Sequence, residues 1–584
     1  MKSALTIKTY SYNKEGLSQL LSAPQGTNWP HVYLIHDDAN LYVGETQSIY
    51  NRTRQHLEKN DVAVKNKKSL IETISDSSFN KSAILDVEQQ LIQLFSAENK
   101  FKLLNGNGGQ SCLHDYYQKD YYHNDLLEAI WEKLIKQKLA TKPIYLLKNL
   151  DIFKYSPYVS LTQEQFDVCE TIMLDMLNTL PLKTGTFIVN GSAGTGKTVL
   201  SIFMLSILKD LISNNSNSLD SEEYDSLVSD FNRTKSKLGK VLIDNDITKI
   251  GFVVPMESLR KTLAEVFRDA GLKSINVIGP DAAVVGNYDI LFVDEAHRLS
   301  RYKNISYRGT FKDKCAMLGL DYRTSNQLEW LMKRSKYIVL FYDEAQTVKG
   351  SDIPRGDFVK GTLMHDTVKE ATLTSQLRVS AGGDYINYID SIFSCCQKDK
   401  KTFDKYQVSL CDDINDLVNI IQEKENSFGL SRLIAGYGWK WNTKDMEYDE
   451  IIKSGKYDID INGTHLIWNT TSKKWINSEH AKDEVGCIHT TQGYDLRYAG
   501  VIFGPEIDYD PKTNEIIINK DNFYDAGVKN ATDDKQLKEF IVNSYRVIMK
   551  RGIQGTFIYA VNDNLKQYLS KYFDKFVPET KQAN

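Results

Sequence analysis

Eight residues, Gly191-Ser192-Ala193-Gly194-Thr195-Gly196-Lys197-Thr198, lie between the apolar run TFIVN and the apolar-rich stretch VLSIFMLSIL. They fit G-x-x-x-x-G-K-[ST] completely, in the strand, loop, helix context that the pattern requires. The glycines Gly191, Gly194 and Gly196 let backbone N–H groups wrap a phosphate, and the helix N-terminus adds a favourable dipole. Lys197 is placed to reach the β- and γ-phosphates of a nucleotide and Thr198 to hold Mg2+. From about Val159 onward, the runs GTFIVNG, KIGFVVP, YDILFVDE and SKYIVLFYDE alternate with longer amphipathic stretches. That alternation predicts buried parallel strands separated by helices, a doubly wound α/β fold.

At 584 residues the chain is too long for one domain, since domains run to about 100–200 residues. Its 41% apolar and 25% charged content excludes wholesale disorder and fibrous repeats. No apolar stretch approaches the ~18 residues of a membrane span, and MKSALTIKTYSYNKEG lacks a secretory core, so the cytoplasm is the expected location. Seven scattered cysteines without a C-x-x-C pair argue against a disulfide framework or a zinc ribbon. A net charge of −4 leaves nucleic acid open as a partner, because a local basic groove suffices.

The Gly/Asn-rich LNGNGGQS marks a boundary near residue 112, and the helical pattern of LLEAIWEKLIKQKL places a linker at 113–158. The serine-rich run near 213–237 reads as a surface insertion, and DYDPKTNEIIIN as a small hairpin.

The strand YDILFV runs into Asp294-Glu295-Ala296-His297. An acidic pair at the end of a buried strand suits an Mg2+-anchoring Asp294 and a water-polarising Glu295. A second pair, in VLFYDEAQ, lies one βα unit later; strand order favours the earlier pair, and Gln346 of the later one could sense the γ-phosphate.

These segments together resemble a superfamily 1 helicase. LTQEQ resembles its Q-motif, with Gln165 as the adenine-reading glutamine. GFVVPMESLRKTL is similar to the motif that begins contact with the nucleic-acid backbone. LTSQLRVS carries Arg378, NSYRVIMKRGIQG carries Arg546 and Arg551, and CIHTTQGYDLR resembles T-x-x-Q-G-x-E, with Gly493 at the glycine and Asp495 for the glutamate. DEAQ differs from the usual G-D-x-x-Q. The wording of SPYVSLTQEQ, RLIAGYGWKW and NSYRVIMKRG is similar to the bacterial Schlafen group 3-like DNA/RNA helicase domain. The resemblance implies two RecA-like lobes, 159–370 and 371–584, with ATP in the cleft and Arg378 and Arg551 arriving from the second lobe as arginine fingers. RLSRYKNISYRGTFKDK interleaves basic and aromatic residues as phosphate contact and base stacking require, or forms a solvated loop. Trp439 and Trp441 could stack on bases or belong to the core.

At the front, HVYLIHDDANLYVGETQ predicts two strands carrying Tyr33 and Tyr42, followed by a helix with Arg52 and His56 at i and i+4. SAILDVEQQLIQLF is an amphipathic helix carrying Glu88, and KLLN ends at Asn105. Individually each of these has a bland structural reading; in this order, residues 31–105 resemble the GIY-YIG endonuclease family, 1–112 being its domain. Val32-Tyr33 stands for the first half-motif, whose leading glycine is missing, and Tyr42-Val43-Gly44 for the second. The resemblance implies a small mixed α/β domain with a three-stranded antiparallel sheet. It assigns Tyr33, Tyr42, Arg52, His56 and Asn105 to catalysis and Glu88 to one divalent metal, Mg2+ or alternatively Mn2+.

The expectation is an ATP-dependent nuclease–helicase acting on nucleic acid, DNA before RNA, in defence against foreign DNA or in repair. An ATP-switched sensor with a non-cleaving front domain and an RNA-directed nuclease are the alternatives.

Overall fold

The computed structural model describes residues 5–59, 69–105, 116–148, 150–156, 159, 161–180, 182–192, 194–213, 226–303, 305–346, 351–375, 379–404, 406–471, 475–488, 490–491, 496–529 and 533–578. The front sheet has five strands, β1 (Thr6–Ser11), β2 (His31–His36), β3 (Asn40–Thr46), β4 (Leu70–Ser75) and β5 (Lys102–Leu103), in the order β1-β4-β2-β3-β5. The first four pair antiparallel and β5 runs parallel to β3. The expected three-stranded sheet is therefore the centre of a larger one. The additional strands pair with backbone groups that β4 and β3 would otherwise leave as open edges.

Lys81–Glu98 forms the long helix behind this sheet, capped by Asn80, whose Oδ1 accepts from Ala83 N, and closed by Asn99 in the left-handed region at φ 54°. Its buried face is unusually wide because two layers cover it. Val32, Leu34 and Val43 of the sheet lie in one hydrophobic cluster with Leu91, Phe95, Ile130, Trp131 and Leu134. The 113–158 connector is thus folded onto the front domain, through Leu127–Lys136, Ile144–Lys148 and Asp151–Lys154, and does not hang between domains.

The first parallel sheet comprises β6 (Gly185–Gly191), β7 (Ile250–Val253), β8 (Asn276–Ile278), β9 (Tyr288–Val293), β10 (Ser335–Tyr342) and β11 (Thr367–Leu373), ordered β11-β6-β10-β9-β7-β8. All its pairings are parallel. Both faces are buried, with Phe187 and Val189 in one cluster and Ile188 in another, so the strands read as continuous apolar runs. The order inserts β10 between β6 and β9 and brings three strand ends to the phosphate loop. The serine-rich run divides: residues 214–225 lie outside the described residues, whereas Ser226–Asp244 is a helix that buries Leu238 and Leu242.

The second large sheet contains β12 (Gln407–Leu410), β13 (Ser431–Ala435), β14 (Ile459–Ile461), β15 (Thr464–Trp468), β16 (Glu484–Gly486), β17 (Leu496–Phe503), β20 (Gly552–Ala560) and β21 (Asp574–Lys575), while β18 (Ile507–Asp510) and β19 (Glu515–Ile518) form the expected hairpin. Its core strands β13, β17, β20 and β12 are parallel. The fold class is as expected: a small mixed α/β domain and two RecA-like parallel-sheet lobes. Among the described residues no helix is long and apolar enough to cross a membrane.

Trp131 is 1% exposed, packs on Phe95 at 4.9 Å and donates its indole N–H to Lys142 O at 2.9 Å. Trp131→Ala is expected to destabilise the front domain by ~3–5 kcal/mol. Hydrogen exchange on the full chain should show faster exchange in Lys81–Glu98 and no change in β6 or β9.

Candidate active sites

In the phosphate loop, Gly194 and Gly196 stand at φ 86° and 80°, in the left-handed region where a Cβ is penalised. The Lys197 ammonium, 6% exposed, donates to Gly191 O at 2.7 Å and Ser192 O at 3.0 Å and lies 3.6 Å from Asp343 Oδ2. Thr198 Oγ1 donates to Asp294 Oδ2 at 2.7 Å. Asp294 is fully buried and its Oδ1 takes no hydrogen bond. Burial first and the Glu295 charge second push its carboxyl up to about 7, against the pull of Thr198 and Lys197. A carboxylate that is buried and half satisfied beside a hydroxyl and an ammonium suits a divalent cation bound with nucleotide phosphates. Glu295 sits at φ 50° at the strand end, its Oε2 2.9 Å from His297 Nε2, and that contact outweighs burial and holds it ionised.

Gln165 is buried in the cap of the helix Gln163–Thr179. Its Oε1 accepts from Thr162 N at 3.0 Å and its Nε2 donates to Thr195 O at 2.9 Å. The structure thus ties it to its own helix and to the phosphate loop. Gln346 Nε2 donates to Asp343 Oδ2 at 2.7 Å. Asp343, which strand order ranks behind Asp294, therefore joins Gln346 to Lys197. Its signal in the sequence was the second acidic strand end, at β10.

The neighbouring Glu164 accepts from Thr374 N at 2.7 Å and Ser375 N at 2.8 Å, just past β11. Burial would raise its pKa, but these bonds outweigh burial and hold it at about 2. Arg378, Gly493 and Asp495 lie outside the described residues. Arg551 is buried where the helix Asp534–Met549 turns into β20. Arg546 donates to Ser394 Oγ at 2.8 Å and stays on its own lobe, near Asp390. Between them Lys550, also missed, pairs with Asp390 at 2.5 Å; burial chiefly lowers its pKa, and Asp343 of the other sheet is among the charges acting on it.

The front site is assembled across β2, β3 and two helices. Tyr33 Oη lies 2.8 Å from His56 Nε2, and the His56 ring stands edge-on to Tyr42 at 5.5 Å. Gly44 permits this: a Cβ there would sit 2.4 Å from the Tyr33 ring and hydroxyl. Burial raises both phenols, so both carry their protons at neutral pH. Arg52 faces both phenol oxygens, which outweigh burial and keep it charged. Glu88 is 7% exposed; burial and then the charge of Glu45 push it well above the carboxylate range. Among the described residues it takes no hydrogen bond or ion pair, which again suits a cation. Asn105 serves differently, accepting from Val43 N at 3.0 Å and donating to Val43 O at 2.8 Å, so it clamps β3 and leaves the phenols to others.

The other candidates divide. Phe311 is fully buried against Trp330, while Tyr302 and Tyr322 meet at 4.7 Å with Lys312 over the Tyr322 ring. Trp439 and Trp441 are half-buried against the second-lobe core.

Because the folded-state pKa of Asp294 is raised, its contribution is full below pH about 3.8 and is lost as pH rises through about 7. Asp294→Asn keeps the acceptor for Thr198 and removes that loss. It is expected to melt ~2–4 °C above the wild type at pH 8 without nucleotide, the gap closing near pH 4 in thermal unfolding.

Residues 30–102 match the GIY-YIG catalytic domain. An uncharacterized protein of Saccharomyces cerevisiae, YPL245W, is 29% identical over 319 residues, 48% of this chain; the match spans 64% of the yeast protein's length. Among solved structures, Pif1 helicase from Bacteroides in complex with ADP-AlF3 and ssDNA is similar at 11% identity and a TM-score of 0.25, covering 73% of this chain and 96% of that chain. Domain III of the Thermotoga maritima replication initiation protein DnaA is similar at 11% identity and a TM-score of 0.19, covering 47% and 90%. Residues 184–562, well over half of the chain, match the Schlafen group 3 DNA/RNA helicase domain, and the chain belongs to that family, with a GIY-YIG domain in front.

Proposed function

We propose that the protein is an ATP-driven nuclease–helicase: the two lobes engage or move along nucleic acid, DNA before RNA, and present a strand to the front domain, which cuts it. The observation that carries the cutting half is the Tyr33–His56 contact of 2.8 Å beside Arg52 and the buried, unrelieved Glu88. His56 Nε2 accepts the Tyr33 proton while the Tyr33 oxygen takes one from the attacking water, so neither phenol has to ionise first. Arg52 offsets charge building on the phosphate oxygens. Glu88 holds the divalent cation, Mg2+ or Mn2+, which when bound supplies further charge neutralisation and a more acidic water.

In the motor, Lys197 meets the β- and γ-phosphates in place of its present backbone carbonyls. Thr198 and Asp294 hold Mg2+, and Glu295 orients the water. Arg551 and Arg378 from the second lobe stabilise transferring charge. Tethering raises the concentration of the cutter on any strand the lobes hold, which suits destruction of foreign DNA, or repair.

Lys197→Ala is expected to abolish nucleic-acid-stimulated ATP turnover. Glu88→Ala and Arg52→Ala are expected to lower cleavage at least ~100-fold while leaving stimulated turnover intact. Turnover and cleavage measured with single-stranded DNA, duplex DNA and RNA decide the rest. Stimulation by RNA alone would make this an RNA-directed enzyme. Intact substrates with Mg2+ and with Mn2+, with and without ATP, would leave a sensor whose front domain binds without cutting.

A further inference from the structure

We propose that Glu45 is a second carboxylate of the front cation site and that Lys81 is its resident counter-ion, an ammonium that the incoming divalent cation must displace. The inference rests on the reading of Glu88 as a cation ligand and adds two residues that neither motif nor family assignment supplies.

Lys81 opens the helix Lys81–Glu98, and Glu88 lies two turns further along, on the same helix face at i+7. Glu45 directly follows Gly44 on β3, where the first residue of that helix reaches it. The Lys81 ammonium bonds both Glu45 oxygens, at 2.8 and 2.9 Å, with the two side chains 38% and 15% exposed. Glu88, 7% exposed, takes no hydrogen bond or ion pair among the described residues. The charges acting most strongly on it are those of Glu45, Lys81 and Arg52, in that order.

Glu45 thus stands at the Lys81 end of the helix face that also carries Glu88, and Lys81 satisfies only one of these two carboxyls. A divalent cation between Glu45 and Glu88 would satisfy both. Lys81 is suited to leave: its ammonium is compact, its stem is flexible, and more than a third of the side chain already meets solvent. The pair holds Glu45 against the helix that carries Glu88 before the cation arrives, and it sets a threshold on cation affinity.

The test is Mn2+ binding to the full-length protein, followed by electron paramagnetic resonance in an Asp294→Asn background so that only the front site is counted. Glu45→Gln is expected to weaken Mn2+ binding ~10-fold, and Lys81→Met to tighten it by a similar factor, a gain that misfolding cannot produce. The Lys81→Met gain should vanish in the Glu45→Gln background, which separates a local displacement from a general change in charge. Unchanged affinity in Glu45→Gln, or a Lys81→Met gain that persists without Glu45, overturns the proposal while Glu88→Ala still abolishes binding. Binding that survives Glu88→Ala overturns the underlying reading of the cation site itself.

Discussion

The phosphate loop is held by carboxylates at the ends of two buried strands, and the organisation of the first lobe follows from that constraint. Lys197 and Thr198 are donors in a nearly closed site, where a donor without an acceptor is costly. Asp343 at the end of β10 stands beside the ammonium and Asp294 at the end of β9 takes the hydroxyl. Both acids can reach the loop only because β10 lies between β6 and β9 in the sheet. The accompanying cost is visible in Asp294, whose carboxyl is driven up to about 7 because burial removes water without supplying a full set of donors. A site under that tension is suited to a cation and phosphates, which would satisfy the groups that now only partly satisfy one another.

The lobes are joined through the same small region. Glu164, one residue before the glutamine that ties the helix cap to the phosphate loop, holds the backbone just past β11. From the other side, the turn of the second lobe that carries Arg551 also carries Lys550, restrained by Asp390 yet within the electrostatic reach of Asp343. The phosphate loop is therefore linked to the backbone past β11 on one side and lies within electrostatic reach of the second lobe's Lys550 on the other. The front domain applies a related device with different chemistry. Its phenols stay protonated and its arginine charged, while one carboxyl group is buried without a hydrogen bond or ion pair among the described residues. The connector packs its Trp131, Ile130 and Leu134 into the core of that domain, so the two form one packed unit.

Much of the motor was legible because its chemistry is contiguous. Glycines at fixed offsets, a lysine and a threonine define the loop without reference to anything distant, and apolar runs announce strands buried on both faces. The front site was legible through order alone, since Tyr33, Tyr42, Arg52, His56 and Glu88 each have a commonplace reading and meet only after the sheet and two helices pack. What escaped reading depended on distant partners. Asp343 and Asp294 end similar apolar runs, and only the place of β10 between β6 and β9 sets one beside Lys197 and the other beside Thr198. Asn105 bridges the backbone of β3 across 62 residues, a contact that no local pattern announces. Lys81 and Glu45, 36 residues apart, show nothing in sequence of the ion pair they form. The connector read as a linker because the face it shares with Lys81–Glu98 belongs to no single segment.

The sequence by itself determined the local elements, the phosphate loop and the order of chemistry-bearing residues, because these depend on spacing within one strand, turn or helix. Tertiary structure decided which carboxylates face which cations, which phenol meets the histidine and how far each acid is driven from its usual pKa. Those outcomes depend on burial and on distances between segments, and neither is defined until the sheets have assembled.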